Sequence, residues 1–150
     1  MSGYLLDTNV ISMLSPSRAD ARTGFLAWLD ERDAEDQLFL SVVTIHEIEK
    51  GIGLLESCKV EAKARALRLW LSGLVSTYDD RILPIDAAVA SLSGRLEAAA
   101  SSAGHAPGMA DALIAGTASA HELTLVTRNL RHFEPFGIAL LAPENCRPGS

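Results

Sequence analysis

Three acids in this chain, Asp7, Glu47 and Asp111, each stand near the start of a helix-patterned segment and are the residues best placed to do chemistry. Asp7 follows Tyr4-Leu5-Leu6, an apolar run suited to a buried strand, and precedes the helical spacing of Val10, Ile11 and Leu14. The stretch reads as strand, turn, helix, with the acid at the strand's carboxyl end. In an open α/β sheet such ends line the ligand crevice. Asp, Thr and Asn are also favoured helix N-caps, so this stretch alone leaves cap and site residue equally open. Glu47 sits three residues after Thr44, a spacing that reads as a capping box and also puts the acid in a first helical turn at the same sheet edge. Asp111 is the sole charge from Met109 to Ala120. A first-turn Asp gains about 0.3–1 kcal/mol from the helix dipole, but a carboxylate in so apolar a segment needs a partner or a cation, which favours a functional role.

Thr127-Arg128-Asn129 repeats the opening logic, with polar residues at the tip of an apolar strand. Thr127 and Asn129 can orient a carboxylate or a water by hydrogen bonds, and Asn129 can equally cap the helix that follows. If the three acids share a pocket, two like charges about 4 Å apart repel by about 4 kcal/mol at an effective dielectric of 20. The cluster then requires a cation or a proton. Hard oxygen donors without neighbouring Cys or His select Mg²⁺ or Mn²⁺. Such ions promote hydrolysis by activating water and neutralising charge on a phosphodiester.

The elements that must hold these residues follow from periodicity. Ser15-Pro16-Ser17 breaks the opening helix, and Ala21–Arg32 is helical, with Phe25, Trp28 and Leu29 on one side. Leu38–Val43 is a strand and Thr44–Glu56 a helix striped by Ile45, Ile48, Ile52 and Leu55. Another helix covers Glu61–Leu74, and Ile82-Leu83-Pro84-Ile85 is a brief strand that the proline confines to an edge or an end. Asp86 caps a helix reaching Ser102, and residues 104–108 form a loop. Met109–His121 is a helix, Leu123–Thr127 a strand, Asn129–Phe133 a helical turn and Ile138–Leu141 a last strand. Alternation of this kind predicts one α/β domain over residues 1–150, with a mostly parallel central sheet of about five strands flanked by helices.

The 150 residues suffice for one sizeable core, and the 48% apolar content, only 5% aromatic, makes that core aliphatic. A net charge of −6 argues against broad non-specific nucleic-acid binding, so any such contact is local or carried by bound cations. Cys58 and Cys146 form no metal or disulfide pattern and are expected to be free thiols. With neither a signal-peptide pattern nor a membrane-length apolar run, a cytoplasmic location without membrane contact is expected.

Five segments, in order, resemble the PIN-domain proteins, and specifically VapC-type toxins of the FitB-like kind. They are Leu5-Leu6-Asp7-Thr8-Asn9-Val10-Ile11-Ser12, residues 41–51 around Glu47, Ile82-Leu83-Pro84-Ile85-Asp86, Ala110-Asp111-Ala112-Leu113-Ile114-Ala115 and residues 125–133. Each is short, but their order over nearly the whole chain is specific. The resemblance implies a PIN-like sheet sandwiched by helices and a Mg²⁺- or Mn²⁺-dependent endoribonuclease acting on RNA. It also implies a cognate VapB-type antitoxin, contact with promoter DNA only through that antitoxin, and a homodimer. Carried over by position, Asp7, Glu47 and Asp111 are the metal site. Many relatives carry a fourth acid where this chain has Asn129, which implies that Asn129 positions water or phosphate, with Thr127 beside it.

Two other functions fit parts of the pattern. An aspartyl-phosphate phosphotransferase also begins with an acid after its first strand but wants a second Asp two residues on, where Asn9 stands. A non-catalytic PIN-like partner of a DNA-binding regulator fits the missing acid at 129. His46, His105, His121 and His132 share no spacing and read as surface or packing residues. Lys50, Lys63, Arg65, Arg68, Arg128 and Arg131 are candidates for holding RNA or an acidic antitoxin tail, and Asp86 is read as a cap only.

Overall fold

The computed structural model describes residues 3–16 and 23–149. Five strands, β1 (Tyr4–Leu6), β2 (Leu38–Ser41), β3 (Ile82–Leu83), β4 (Thr124–Val126) and β5 (Leu140–Leu141), form one sheet in the order β3-β2-β1-β4-β5. Every pairing is parallel, as the strand–helix alternation predicts. The chain builds outward from β1 through β2 to β3, then returns to lay β4 along the other side of β1. Strand order therefore reverses between β1 and β4, the place where open α/β sheets leave a crevice beyond the strand ends.

Side-chain alternation divides the core in two. Leu6, Leu38, Leu40 and Val126 face one layer, packed by α1 (Thr8–Ser12), α2 (Thr23–Ala34), α3 (Val42–Ser57) and α4 (Glu61–Tyr78). Leu5, Leu83 and Leu125 face the other, covered by α5 (Ala87–Ser102), α6 (Met109–Ala120) and α7 (Leu130–Phe133). Adjacent residues such as Leu5 and Leu6 thus serve opposite layers, as the two-residue period of a strand requires. Among the described residues no helix is long and apolar enough to cross a membrane.

Several boundaries differ from the sequence reading for identifiable reasons. The second strand stops at Ser41 rather than Val43, because the Ser41 hydroxyl accepts the Val43 N–H at 3.0 Å and caps α3. Helix α3 therefore starts two residues before Thr44, and the Thr44–Glu47 capping box does not form. Thr44 lies inside the helix, fully buried. Helix α4 runs on past Leu74 to Tyr78, whose ring lies 4.7 Å beneath the Arg81 guanidinium and anchors the extra turn. The brief third strand ends at Leu83, since Pro84 lacks an N–H for a further rung, and it occupies a sheet edge as expected. Strands four and five are likewise shorter than read. Asp86 caps α5 by accepting the Val89 N–H at 2.9 Å. Residues 17, 21 and 22, which fell in the predicted break and the predicted second helix, lie outside the described residues.

The tightest helix contact is between α5 and α6, at Gly116 against Ser93. A Cβ on Gly116 would run into Ser93 Oγ and stand 3.0 Å from Ser93 Cα, part of the backbone. The Ser93 hydroxyl donates to the Val89 carbonyl at 2.7 Å and is itself buried. Gly116→Ala is therefore expected to destabilise the fold by about 1–3 kcal/mol, despite the roughly 1 kcal/mol by which alanine exceeds glycine in helix propensity. Gly51→Ala, in α3 with open space at its Cβ, is expected to stabilise by about 0.5–1 kcal/mol. Urea unfolding of the two variants reads the opposite signs directly.

Candidate metal centre

Asp7 occupies the first position beyond β1 and extends the β1–β4 ladder, its N–H donating to the Val126 carbonyl at 3.0 Å. Because Leu6 pairs with Val126, this places Asp7 beside Thr127. The Thr127 hydroxyl donates to Asp7 Oδ2 at 2.7 Å and accepts the Asn129 N–H at 3.0 Å. The other carboxylate oxygen, Oδ1, accepts the Thr8 N–H at 2.8 Å, which makes Asp7 the N-cap of α1. Of the two readings left open by the sequence, the cap is present, and the same carboxylate also lines the cavity described below. Asp7 is 5% exposed and Thr127 fully buried, so the carboxylate is aimed by two donors that cannot move far.

Glu47 reaches the same place from the second turn of α3. Its Oε1 accepts the Thr8 hydroxyl proton at 2.5 Å. Since that hydroxyl has a single proton, the 3.0 Å contact between Thr8 Oγ1 and Thr44 Oγ1 is donated by Thr44. Thr44, Thr8 and Glu47 thus form a chain tying α1 to α3. Asp111 enters from the first turn of α6, with its Oδ2 3.8 Å from His132 Nδ1. Asp7, Glu47 and Asp111, with Thr8, Asn9, Ser12, Arg128 and Asn129, line one cavity of about 320 Å³.

Burial pushes the Asp7 pKa from its ordinary 3.8 up to about 6, and the nearby charges of Asp111 and Glu47 add to the rise. The hydrogen bonds from Thr127 and Thr8 pull the other way. Asp111 is also raised, chiefly by burial and further by Glu47, with His132 opposing. Carboxylates held close at a cost in desolvation and repulsion, with an all-oxygen donor set, match what a hard divalent cation requires. The coordination sphere is not ready-made, however. Among the described residues no group of three or more His, Cys, Asp or Glu converges closely enough to hold an ion. Asp7 Oδ2 is turned to Thr127, Glu47 to Thr8 and Asp111 toward His132.

The other residues singled out by sequence divide clearly. Asn129 and Arg128 line the cavity, but Asn129 caps α7 with no side-chain hydrogen bond, leaving its amide free to face the opening. Arg68 is engaged with Glu49 and Glu56, at 3.1 Å each, on the exposed side of α3 and α4. All four histidines are exposed, as expected, yet His132 approaches Asp111. Sequence reasoning missed Thr8 and Asn9 as site-builders. Asn9 Oδ1 accepts the Arg128 N–H at 3.3 Å and links the loops beyond β1 and β4. Their partners lie 39 and 119 positions away, so no local spacing announces them.

Comparison with known proteins places this geometry. The family model of the PIN domain matches residues 4–135. Over 140 residues the chain is 36% identical to Toxin FitB of Neisseria gonorrhoeae, spanning 93% of this chain and 96% of that protein. It is 33% identical to VapC ribonuclease Y4jK of Sinorhizobium fredii over the same length, with the same shares covered. A solved structure of FitAB bound to an IR36 DNA fragment aligns with a TM-score of 0.74 at 30% identity, covering 98% of this chain and 99% of that one.

The electrostatics of Asp7 give a signed test. The folded protein holds its proton to about pH 6 while an ordinary carboxyl releases it near 3.8. Between those values the folded state binds more protons, so stability falls as pH rises through the window. That gap corresponds to about 3 kcal/mol at neutral pH, set against about 1 kcal/mol for whichever of its two donors, the Thr8 N–H or the Thr127 hydroxyl, asparagine's single carbonyl oxygen leaves unmatched. In EDTA near pH 7.5, Asp7→Asn is expected to be about 1–2 kcal/mol more stable than the parent by urea unfolding, and to lose that advantage below about pH 4. Equal stability at both pH values contradicts the assignment.

Proposed function

The chain belongs to the PIN-domain family, in the group that holds the FitB and VapC toxins, and from that premise we propose that it is a metal-dependent endoribonuclease, the toxin of a toxin–antitoxin pair. The observation that carries the reading is the meeting of Asp7, Glu47 and Asp111, from three separate segments, in one cavity at the β1–β4 switch point. Asp7, Glu47 and Asp111 would hold Mg²⁺ or Mn²⁺, whose all-oxygen preference the donor set meets. When bound, such an ion supplies Lewis acidity toward a phosphodiester and a water of lowered pKa.

The chain's own residues do the rest. Thr127 and the Thr8 N–H fix the plane of the Asp7 carboxylate, and the Thr8 hydroxyl fixes Glu47. Arg128, on the cavity wall, presents a guanidinium to a phosphate, while the Asn129 amide offers a donor and an acceptor for water or a phosphate oxygen. The net charge of −6 confines RNA attraction to this neighbourhood. Toxin FitB and VapC ribonuclease are the names of relatives, and FitAB is a neighbour seen bound to DNA. They support a VapB-type antitoxin as partner, with promoter DNA reached through that antitoxin.

Asp111→Asn and Glu47→Gln are expected to reduce cleavage of cellular RNA in Mn²⁺ or Mg²⁺ by at least about 100-fold, and EDTA is expected to abolish it in the parent. Thr127→Val, which removes an orienting donor without touching a proposed ligand, is expected to weaken the metal requirement's midpoint by about 10–100-fold. End-mapping of the cleaved RNA reads both. Full cleavage by Asp111→Asn would sink the proposal.

A further inference from the structure

A second cavity, of about 330 Å³, lies on the far side of Asp111, lined by His105, Pro107, Asp111, Arg131, His132 and Pro135 among others. It shares Asp111 with the cavity that holds Asp7 and Glu47, so a chain threaded past the carboxylates enters it next. We propose that this cavity is a subsite for the nucleotide adjoining the scissile phosphate of a single-stranded RNA, with Arg131 taking its phosphate and His105 flanking the base. The inference rests on the ribonuclease reading for its placement, but its binding chemistry can be judged separately.

Arg131 is the first reason. Arg32, Arg68 and Arg81 are each paired with a carboxylate, whereas the side chain of Arg131 makes no hydrogen bond or ion pair among the described residues. An unneutralised guanidinium in so acidic a protein, one side chain away from a carboxylate cluster, is suited to an anion that arrives with the substrate. The rest of the lining decides between anions. Guanidinium answers phosphate and carboxylate alike, but imidazole rings also offer flat faces on which bases stack. Two histidines and two prolines around one arginine give a phosphate, a sugar and a base each something to meet. An acidic peptide would use the arginine and leave the rings idle. His132, on the wall of this cavity, stands 3.8 Å from Asp111, the residue the two cavities share.

The test uses the full chain, a short fluorescein-labelled single-stranded RNA of mixed sequence and a salt series in Mg²⁺. Arg131→Gln and His105→Ala are expected to raise KM about 3–10-fold with kcat within about twofold of the parent. Arg131→Gln is also expected to flatten the slope of log Kd against log salt by about 0.7, the value of one phosphate contact to a single strand. Arg95→Gln, on exposed α5 with its side chain on Ser91, serves as the comparison and is expected to leave both unchanged. Parental KM and slope in both cavity variants overturn the subsite, as does a fall in kcat with an unaltered slope. A parent that binds this RNA with a slope lost in Arg131→Gln, yet cuts none, removes the ribonuclease reading and leaves the subsite standing. A parent that does not bind it removes the subsite. Variants that bind RNA normally but lose affinity for an acidic Asp/Glu peptide reassign the cavity to a protein partner and overturn the proposal.

Discussion

Everything at the candidate centre depends on β4 lying in register beside β1. That pairing sets Asp7 against Thr127 through one backbone rung, from Asp7 N–H to the Val126 carbonyl. A one-residue slip would turn Leu125 and Val126 to the wrong layers, so the two hydrophobic clusters enforce the register that the carboxylate needs. Core packing and site geometry are therefore the same constraint seen from two sides. The buried residues on either face of β1 and β4 are nearly solvent-free, which leaves little freedom for the strand ends to drift.

The centre is also an electrostatic liability that the fold carries. A carboxylate as buried as Asp7 gives up hydration, and neither the Thr8 N–H nor the Thr127 hydroxyl fully restores it, as its raised pKa shows. Asp111 and Glu47 add repulsion. The close Ser93–Gly116 seam packs α6, the helix that carries Asp111, against α5. The three carboxylates are thus brought to one cavity at a cost, while their oxygens rest on protein donors or face a histidine.

Much of this was legible in the residues. Three acids near the starts of helix-patterned segments, and the alternation of two-residue and helical periods, pointed to the parallel sheet and the shared crevice, because both signals are local. The Thr44–Glu47 spacing misled because Ser41 competes for the same helix start, and a hydroxyl directly at the strand end wins. Thr8 and Asn9 were invisible as site-builders: their partners are brought near only by tertiary packing. Asn129 sits where expected, yet the cap on Thr127–Asn129 comes from the Thr127 hydroxyl rather than from the asparagine side chain.

The central strand pair joins segments far apart in sequence, with the Asp7–Thr127 contact spanning 120 positions. During synthesis, β1 leaves the ribosome long before β4 exists, so the growing polypeptide carries its first acid without the neighbour that aims it. Pairing across such a separation is slow, because the loop must close before the contacts reward it. A nascent or prematurely terminated product that stops short of β4 therefore lacks the assembled cavity.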